Sequence, residues 1–513
     1  MWIRFFFCNI AVLKFKPINK IIYMKKCLIF AFIALISWSL TTSCDNGCEI
    51  KRAAELLSAE PPRPAGQTDV VGLRVDPIPI VRVGLIGAGM RGPGAITRFM
   101  SIEGVEVIAV CDLEDDNIER VQSILRRNER PEAIPYTGEE DWKKVCERDD
   151  IDLIYVCTNW DMHAKIAVYA MEQGKHVAVE LPMVRTIKDS WDIINTAERM
   201  RRHCMLLANC TYDFFEMATL NMAQQGVFGE IVHVEGAYIH DLRQLKFNER
   251  RRQSESFDPG AENERARRPG LTGYWNYWRL TRNAEEDGNH YPQHGLGPLA
   301  QVLNLNRGDR MDYMVSLASD QFGMTQYAKT VFGENSPQAQ RTYRRGDINT
   351  TLIKTVNGKS IKIQHDVTSP RPYSRIHMIS GTKGFAQKYP RRHFAFDEPS
   401  GGHTTGGHRT LNDEEMEELL AQYEHPITKE IGELARTVGG HGGMDFIMDY
   451  RLMYCLQNGL PLDVNVYDGV SWASLIELSR FSIENGSYPV RIPDFTRGAW
   501  NKQQGFKHAR IGD

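Results

Sequence analysis

From Val81 onward, short and almost wholly apolar runs at residues 81–86, 105–111, 151–157, 176–180 and 205–208 alternate with helix-length mixed segments. Strands that read apolar throughout are covered on both faces, so the alternation predicts a parallel sheet with right-handed helical crossovers. Past Tyr212 the pattern changes. Residues 231–240 are strand-like, and 350–356 and 359–365 flank Asn357-Gly358, a pair that supplies the positive φ angles of a tight primed hairpin turn. Residues 374–379, ending near Gly381, add a strand to what becomes an open, mainly antiparallel sheet. The tail returns to helix, with Asn412-Asp413-Glu414-Glu415 opening one amphipathic segment and residues 445–457 forming another. The pattern therefore predicts an α/β domain over residues 77–210 followed by an α+β domain over 211–513.

Between the first apolar run and the first helix lies Gly87-Ala88-Gly89-Met90-Arg91-Gly92, a G-x-G-x-x-G loop. The first glycine permits the tight turn, the second lets the backbone approach a pyrophosphate, and the helix start beyond offers free amides to phosphate. With 42 glycines in the chain such a match alone is weak, and its place between strand and helix raises it. Asp112 ends the next strand 20 residues after Gly92, where a carboxylate bonds ribose hydroxyls and repels a 2′-phosphate. These features predict an N-terminal Rossmann domain that binds NAD rather than NADP; the structural alternative is that Asp112 only caps the following helix. Trp160 and His163 follow the third run, and Glu180-Leu181 and Asn209 end two more strands on the same carboxyl edge, where open α/β sheets bind ligands.

Ahead of this body, Met24-Lys25-Lys26 precedes an apolar run over residues 27–40 and then Thr41-Thr42-Ser43-Cys44. That is the layout of a secretory signal, and the run is shorter than the about 20 apolar residues of a spanning helix. A cysteine directly after small residues is similar to a bacterial lipoprotein signal, which would make residues 1–44 a leader, Cys44 the lipidated residue and residues 1–23 an upstream mis-start. The product would be periplasmic or anchored at the outer membrane; an uncleaved anchor helix is the alternative. Residues 45–76, polar with Pro61, Pro62, Pro64 and Gly66, suit a tether. A chain of 513 residues accommodates two domains plus such a leader. With 62 basic against 65 acidic residues the formal net charge is −3, so bulk charge gives no reason to bind nucleic acid or an anionic membrane surface. Beyond Cys48 the cysteines are scattered without CxxC spacing, so neither a disulfide nor a zinc site can be assigned.

The order Gly87-Ala88-Gly89, Asp112, Cys157-Thr158-Asn159, Glu180-Leu181-Pro182, Asn209 resembles the glucose-fructose oxidoreductase and inositol dehydrogenase superfamily. The resemblance implies a C-terminal domain whose open sheet faces the nicotinamide. Dehydrogenases of that superfamily usually carry Glu-Lys-Pro, whose lysine takes part in proton chemistry at the substrate hydroxyl, whereas Leu181 cannot move a proton. A narrower resemblance, from Val81 to about Lys502, is to glycoside hydrolase family 109. It is carried by Tyr238-Ile239-His240-Asp241-Leu242-Arg243, Tyr277-Trp278-Arg279, Tyr291-Pro292-Gln293-His294-Gly295, Arg371-Pro372-Tyr373 and Gly439-Gly440-His441-Gly442-Gly443-Met444-Asp445, and more weakly by Asn304-Leu305-Asn306-Arg307-Gly308. It implies an NAD-dependent glycosidase, typically an α-N-acetylgalactosaminidase, working by oxidation at C3 of the sugar, elimination of the aglycone, water addition and re-reduction.

By that resemblance Met90, Arg91, Trp160, Asp161, Met162, His163, Glu180, Leu181 and Asn209 join Gly87, Gly89 and Asp112 at NAD, and Tyr291 spans NAD and substrate. Tyr238, Arg279, Tyr291, Pro292, Gln293, His294 and Tyr373 become substrate contacts on a glycoconjugate or oligosaccharide. His294, with Tyr291 beside it, is the first candidate for proton transfer because imidazole titrates near neutral pH, and Tyr212 is the second. The residue types agree with this route, since an ordinary glycosidase uses two carboxylates and these segments offer Tyr, His and Arg. A redox-neutral cycle also suits an exported protein, whose retained NAD is restored at each turnover, although no twin-arginine pair precedes the apolar run. The rival readings are an NAD-dependent sugar oxidoreductase, against which Leu181 stands, and a non-catalytic sugar-binding lipoprotein. The exact sugar, the anomer and the oligomeric state, a homo-oligomer included, stay open.

Overall fold

The computed structural model describes residues 47–247, 277–397, 405 and 407–512, so the leader with Cys44 lies outside the described residues. The chain divides at Leu57/Ser58 into two compact units. In the first, residues 47–57 are helical. The second, from Ser58 on, holds both sheets.

The first sheet is parallel, with strands β1 (Val81–Ile86), β2 (Val105–Cys111), β3 (Ile134–Tyr136), β4 (Leu153–Val156), β5 (His176–Val179) and β6 (Cys204–Leu206) in the order β3-β2-β1-β4-β5-β6. This is the doubly wound Rossmann arrangement, with the order reversing at β1. Val81, Val83 and Leu85 are fully buried, as are all four residues of β4 and of β5, because helices cover both faces. β3 escaped the reading of apolar runs: it is three residues long, contains Pro135 and is largely exposed at the sheet edge.

The second sheet orders its eight strands β13-β12-β11-β7-β10-β9-β8-β14. They are β7 (Ile231–Ile239), β8 (Met311–Ala318), β9 (Ile348–Thr355), β10 (Ser360–Asp366), β11 (Met378–Gly381), β12 (Gly384–Gln387), β13 (His393–Phe396) and β14 (Val490–Arg491). All neighbours are antiparallel except β7 and β10, which run parallel from Ser360 opposite His233 to Asp366 opposite Ile239. The α/β then α+β class expected from the pattern is the architecture found.

Three expectations change. The tether does not extend past residue 57: Arg63 forks onto buried Glu198 at 3.0 and 3.2 Å, the Val70 amide donates to the Tyr467 hydroxyl at 3.0 Å, and Val70, Val71 and Leu73 are buried. A few apolar residues in a polar, proline-rich stretch are enough to dock it. At the hairpin only Gly358 takes a positive φ, +87°, so the turn is not of the primed type; the Asn357 amide is held by Asp309 Oδ1 at 3.2 Å and its side chain by the Gly308 carbonyl at 2.8 Å. The strand expected over 374–379 starts only at Met378, after Ile376 and His377 adopt φ of +59° and +46° while the Arg375 guanidinium turns inward to Glu216. Helix Met444–Gln457, from the second domain, returns to pack on the Rossmann layer. Its Asp449 takes Arg98 Nε at 2.6 Å and the Tyr155 hydroxyl at 2.8 Å.

Candidate active site

At the carboxyl edge of the first sheet the glycine loop turns from β1 into helix Gly92–Phe99. Gly87 has a φ of +94°, and a Cβ there would stand 2.6 Å from the Cys157 carbonyl oxygen, just past β4. A Cβ on Gly92 would stand 2.4 Å from the Gly87 carbonyl oxygen. Gly89 differs, for its φ is not positive and a Cβ would meet nothing nearer than the Asn117 amide nitrogen at 4.0 Å. Contacts within the chain account for two of the glycines, and close approach of an external group to the backbone accounts for the third, as a pyrophosphate requires. The loop thus fits NAD.

Asp112 Oδ2 accepts from the Ala88 amide at 2.7 Å, and Oδ1 accepts from the Glu114 amide and Asn117 Nδ2, each at 3.0 Å. The carboxylate therefore braces the glycine loop against helix Asp115–Arg127 with three of its about four lone-pair sites. Deeper in, Arg91 Nε donates to Glu180 Oε1 at 2.7 Å and Nη1 to Asp445 Oδ2 at 3.2 Å. Asp445 Oδ1 accepts from Asn209 Nδ2 at 2.6 Å, and Oδ2 faces His441 Nδ1 at 2.9 Å. Burial would raise the Asp445 carboxyl, but the His441 hydrogen bond and the Arg91 and Arg98 charges hold it well below the usual carboxylate range.

On the second domain, Tyr291 and His294 flank the start of helix Gln293–Val302, which presses on β7. A Cβ on Gly295 would lie 2.4 Å from the Ala237 amide nitrogen, and one on Gly236 2.3 Å from the Gly295 carbonyl oxygen, so two glycines let helix and strand touch. That approach seats His294 and Tyr291 against Tyr238, with ring centroids 5.1 Å apart for Tyr238–His294 and 4.9 Å for both Tyr238–Tyr291 and Tyr291–His294. Tyr291 in turn stacks on Trp160 of the first domain at 6.0 Å and 26°. The Arg279 guanidinium lies 4.8 Å from the Trp160 ring centre and 5.2 Å from that of Tyr291, a cation over two ring faces. Tyr373 stands at the rim, 38% exposed, with its ring 5.1 Å from His240. Burial, with the Arg375 and Arg91 charges, holds His294 well below the ordinary imidazole value of 6.5, so the ring is neutral and able to accept a proton at neutral pH.

The remaining candidates fall in different places. Tyr212 is corrected: it is fully buried, its hydroxyl points at Asp463 Oδ2 at 3.3 Å, and the Arg451–Asp463 pair surrounds it, so it offers a sugar no proton path. His163 is buried with its nitrogens against the carbonyls of Pro182 at 2.7 Å and Thr158 at 3.1 Å, which makes it a clamp between two loops of the cofactor edge. The Asp161 carboxylate is taken by Arg185 at 2.7 Å and Arg282 at 2.5 Å. Met90 is exposed at the loop tip, Met162 is half-buried, and Leu181 is buried. Pro292 and Gln293 are buried, and neither amide atom of Gln293 has a hydrogen-bond partner among the described residues.

Two features went unassigned at the sequence level. His441 lies in a loop where Gly439, Gly440, Gly442 and Gly443 and the histidine itself all have positive φ, and this run of glycines around a histidine was the available signal. Lys246 lines the cavity wall with Tyr238, Arg279, Tyr291 and His365, its Nζ 2.8 Å from Asn283 Oδ1, and burial with the Arg345 and Arg279 charges holds its pKa well below 10.5.

Fold and loop define an NAD-binding protein of the oxidoreductase type. Residues 81–207 match the family described as "Oxidoreductase family, NAD-binding Rossmann fold", and NAD is the cofactor of this domain. Residues 212–502 match "Glycosyl hydrolase 109, C-terminal domain". A protein of Bacteroides fragilis named alpha-N-acetylgalactosaminidase is 50% identical over 436 residues, covering 85% of this chain and 96% of the relative. Glycosyl hydrolase family 109 protein 1 of Bacteroides thetaiotaomicron is 46% identical over 495 residues, covering 95% and 99%. Among solved structures, levoglucosan dehydrogenase in complex with NADH and L-sorbose superposes with a TM-score of 0.55 at 17% identity, covering 81% of this chain and all of that one. The chain belongs to glycosyl hydrolase family 109.

Proposed function

We propose that the protein releases terminal α-linked N-acetylgalactosamine from glycoconjugates, the activity after which its Bacteroides fragilis relative is named. The observation that carries this reading is the position of Tyr291, stacked on Trp160 at the cofactor edge and in ring contact with Tyr238 and His294 on the second domain. When bound, NAD supplies a reversible hydride acceptor for C3 of the sugar. A ketone at C3 acidifies the hydrogen on C2, the neutral imidazole of His294 is the base that removes it as the C1–oxygen bond breaks, and water then adds at C1 with return of a proton to C2 before C3 is reduced again. His441, oriented through Nδ1 by buried Asp445 and with its side chain 57% exposed, is a second imidazole that can protonate the departing oxygen. Arg279 offers a fork of donors to hydroxyl or acetamido oxygens, while Tyr238 and Tyr373 offer stacking faces and hydroxyls. Asp112, with one lone-pair site left, would hold the ribose of NAD, and Arg91, Glu180 and Asn209, joined directly or through Asp445, would line the same edge.

Incubation with an aryl α-N-acetylgalactosaminide in deuterated water, without added NAD, tests the reading. Released sugar should carry deuterium at C2. Release without exchange excludes the elimination route, and net accumulation of NADH identifies an oxidoreductase instead.

We further infer that the protein is exported and lipid-anchored through Cys44, on the strength of the basic, apolar and small-residue segments from Met24. Cys44→Ser should move the full chain from the membrane fraction to the soluble one, and an unchanged membrane fraction would count against the anchor.

A further inference from the structure

Asn209 Nδ2 donates to Asp445 Oδ1 at 2.6 Å, which turns the amide oxygen of Asn209 the other way. Asp445 is an ionised carboxylate and can only accept, so the amide orientation is fixed. The amide oxygen faces Cys210 Sγ at 3.5 Å, and among the described residues that thiol is its hydrogen-bond donor. Burial pushes the Cys210 thiol up to about 12, so its proton stays on sulfur at neutral pH. The same sulfur lies 2.9 Å from His294 Nδ1. A thiol has one hydrogen and two neighbours here; given to the buried Asn209 oxygen, which has no other donor among the described residues, it leaves the sulfur only lone pairs toward His294.

We propose that Asn209 and Cys210 are positioning residues that set the tautomer of His294, placing its proton on Nδ1 and its lone pair on Nε2. With the thiol hydrogen on the Asn209 oxygen, the directions run from the carboxylate outward: Asp445 accepts from Asn209, Asn209 from Cys210, and Cys210 from His294. Nε2 is then the atom that takes a substrate proton, giving an imidazolium whose Nδ1–H still donates to the sulfur. The chain of four side chains starts at the residue that also holds Arg91 of the glycine loop and His441. The cofactor edge and the base are thus connected through one chain of hydrogen bonds, whose Asn209 end is fixed in sense by the ionised Asp445. The inference rests on the reading of His294 as a base, but the tautomer itself exists without substrate.

The full-length protein, labelled with 15N in its histidines and with His294 assigned by comparison with His294→Gln, should show the Nδ1-protonated neutral tautomer in two-bond proton–nitrogen correlations. An Nε2-protonated ring would overturn the proposal whatever the activity. Cys210→Ala should let the ring populate both tautomers and lower kcat roughly tenfold with KM little changed, the loss of about one neutral hydrogen bond. Cys210→Ser, whose hydroxyl can donate to Asn209 and accept from His294, should recover most of that loss. Equal losses in the two variants, with the wild-type tautomer kept in both, would reduce Cys210 to a packing residue and overturn its positioning role. If the tautomer is as stated while His294→Gln retains full turnover, the base assignment fails and the tautomer assignment stands.

Discussion

Burial acts on His294 and on Tyr212 in opposite senses. It lowers the imidazole below 6.5 and leaves a neutral base, and it raises the phenol of Tyr212, which stays protonated beside Asp463. His294→Gln should therefore lower kcat/KM by roughly 10²–10⁴-fold, the range for a lost general base. Tyr212→Phe should leave turnover unchanged and lower stability by about 1 kcal/mol through one lost hydrogen bond, read as a shift in the urea midpoint. Residue type and family resemblance proposed Tyr238, Arg279, Tyr291, His294 and Tyr373, which the structure gathers in one cluster. They did not reveal that Asp161 is spent on Arg185 and Arg282, since a carboxylate's partner comes from distant chain.

At the scale of elements, the glycine loop contains two kinds of glycine that a motif cannot tell apart. Gly92→Ala forces a methyl to 2.4 Å from a carbonyl oxygen, so it should cost about 2 kcal/mol or more in stability by denaturant unfolding. Gly89→Ala meets open space and should fold with near-normal stability while retaining less NAD after gel filtration, measured by cofactor content of the denatured protein. Equal effects at the two positions would contradict the assignment of Gly89 to the cofactor. The strands of the first sheet were legible because their apolar runs record burial on two faces, and β9 and β10 because Asn357-Gly358 marks the turn between them. β3, the hairpin turn type and the delayed start of β11 were not. Each is set by a neighbour: the sheet edge, the Asp309 loop, and the buried acids that draw in Arg375.

Across the whole molecule, buried histidines tie stability to pH. Burial pushes His176 and His508 down to about 4 and His377 to about 3, against 6.5 in an unfolded chain. The unfolded state binds these protons first, so the contribution is intact above pH 6.5 and is lost as pH falls toward 4, by about 1.4 kcal/mol per pH unit per histidine. The melting temperature should therefore drop steeply between pH 6.5 and 4; a flat profile there would mean that these rings are not buried in solution. The sequence by itself determined the class of both sheets and the cofactor loop, and it named the side chains that gather around Tyr238, because hydrophobic period, glycine spacing and side-chain chemistry are local properties. Only the tertiary structure decided that Tyr212 leaves the site, that Asp445 returns from a distant helix to hold Arg91, Asn209 and His441, and that Cys210 meets His294. Those facts depend on which parts of the chain pack together, and packing is settled by the summed burial of the whole unit rather than by any one segment.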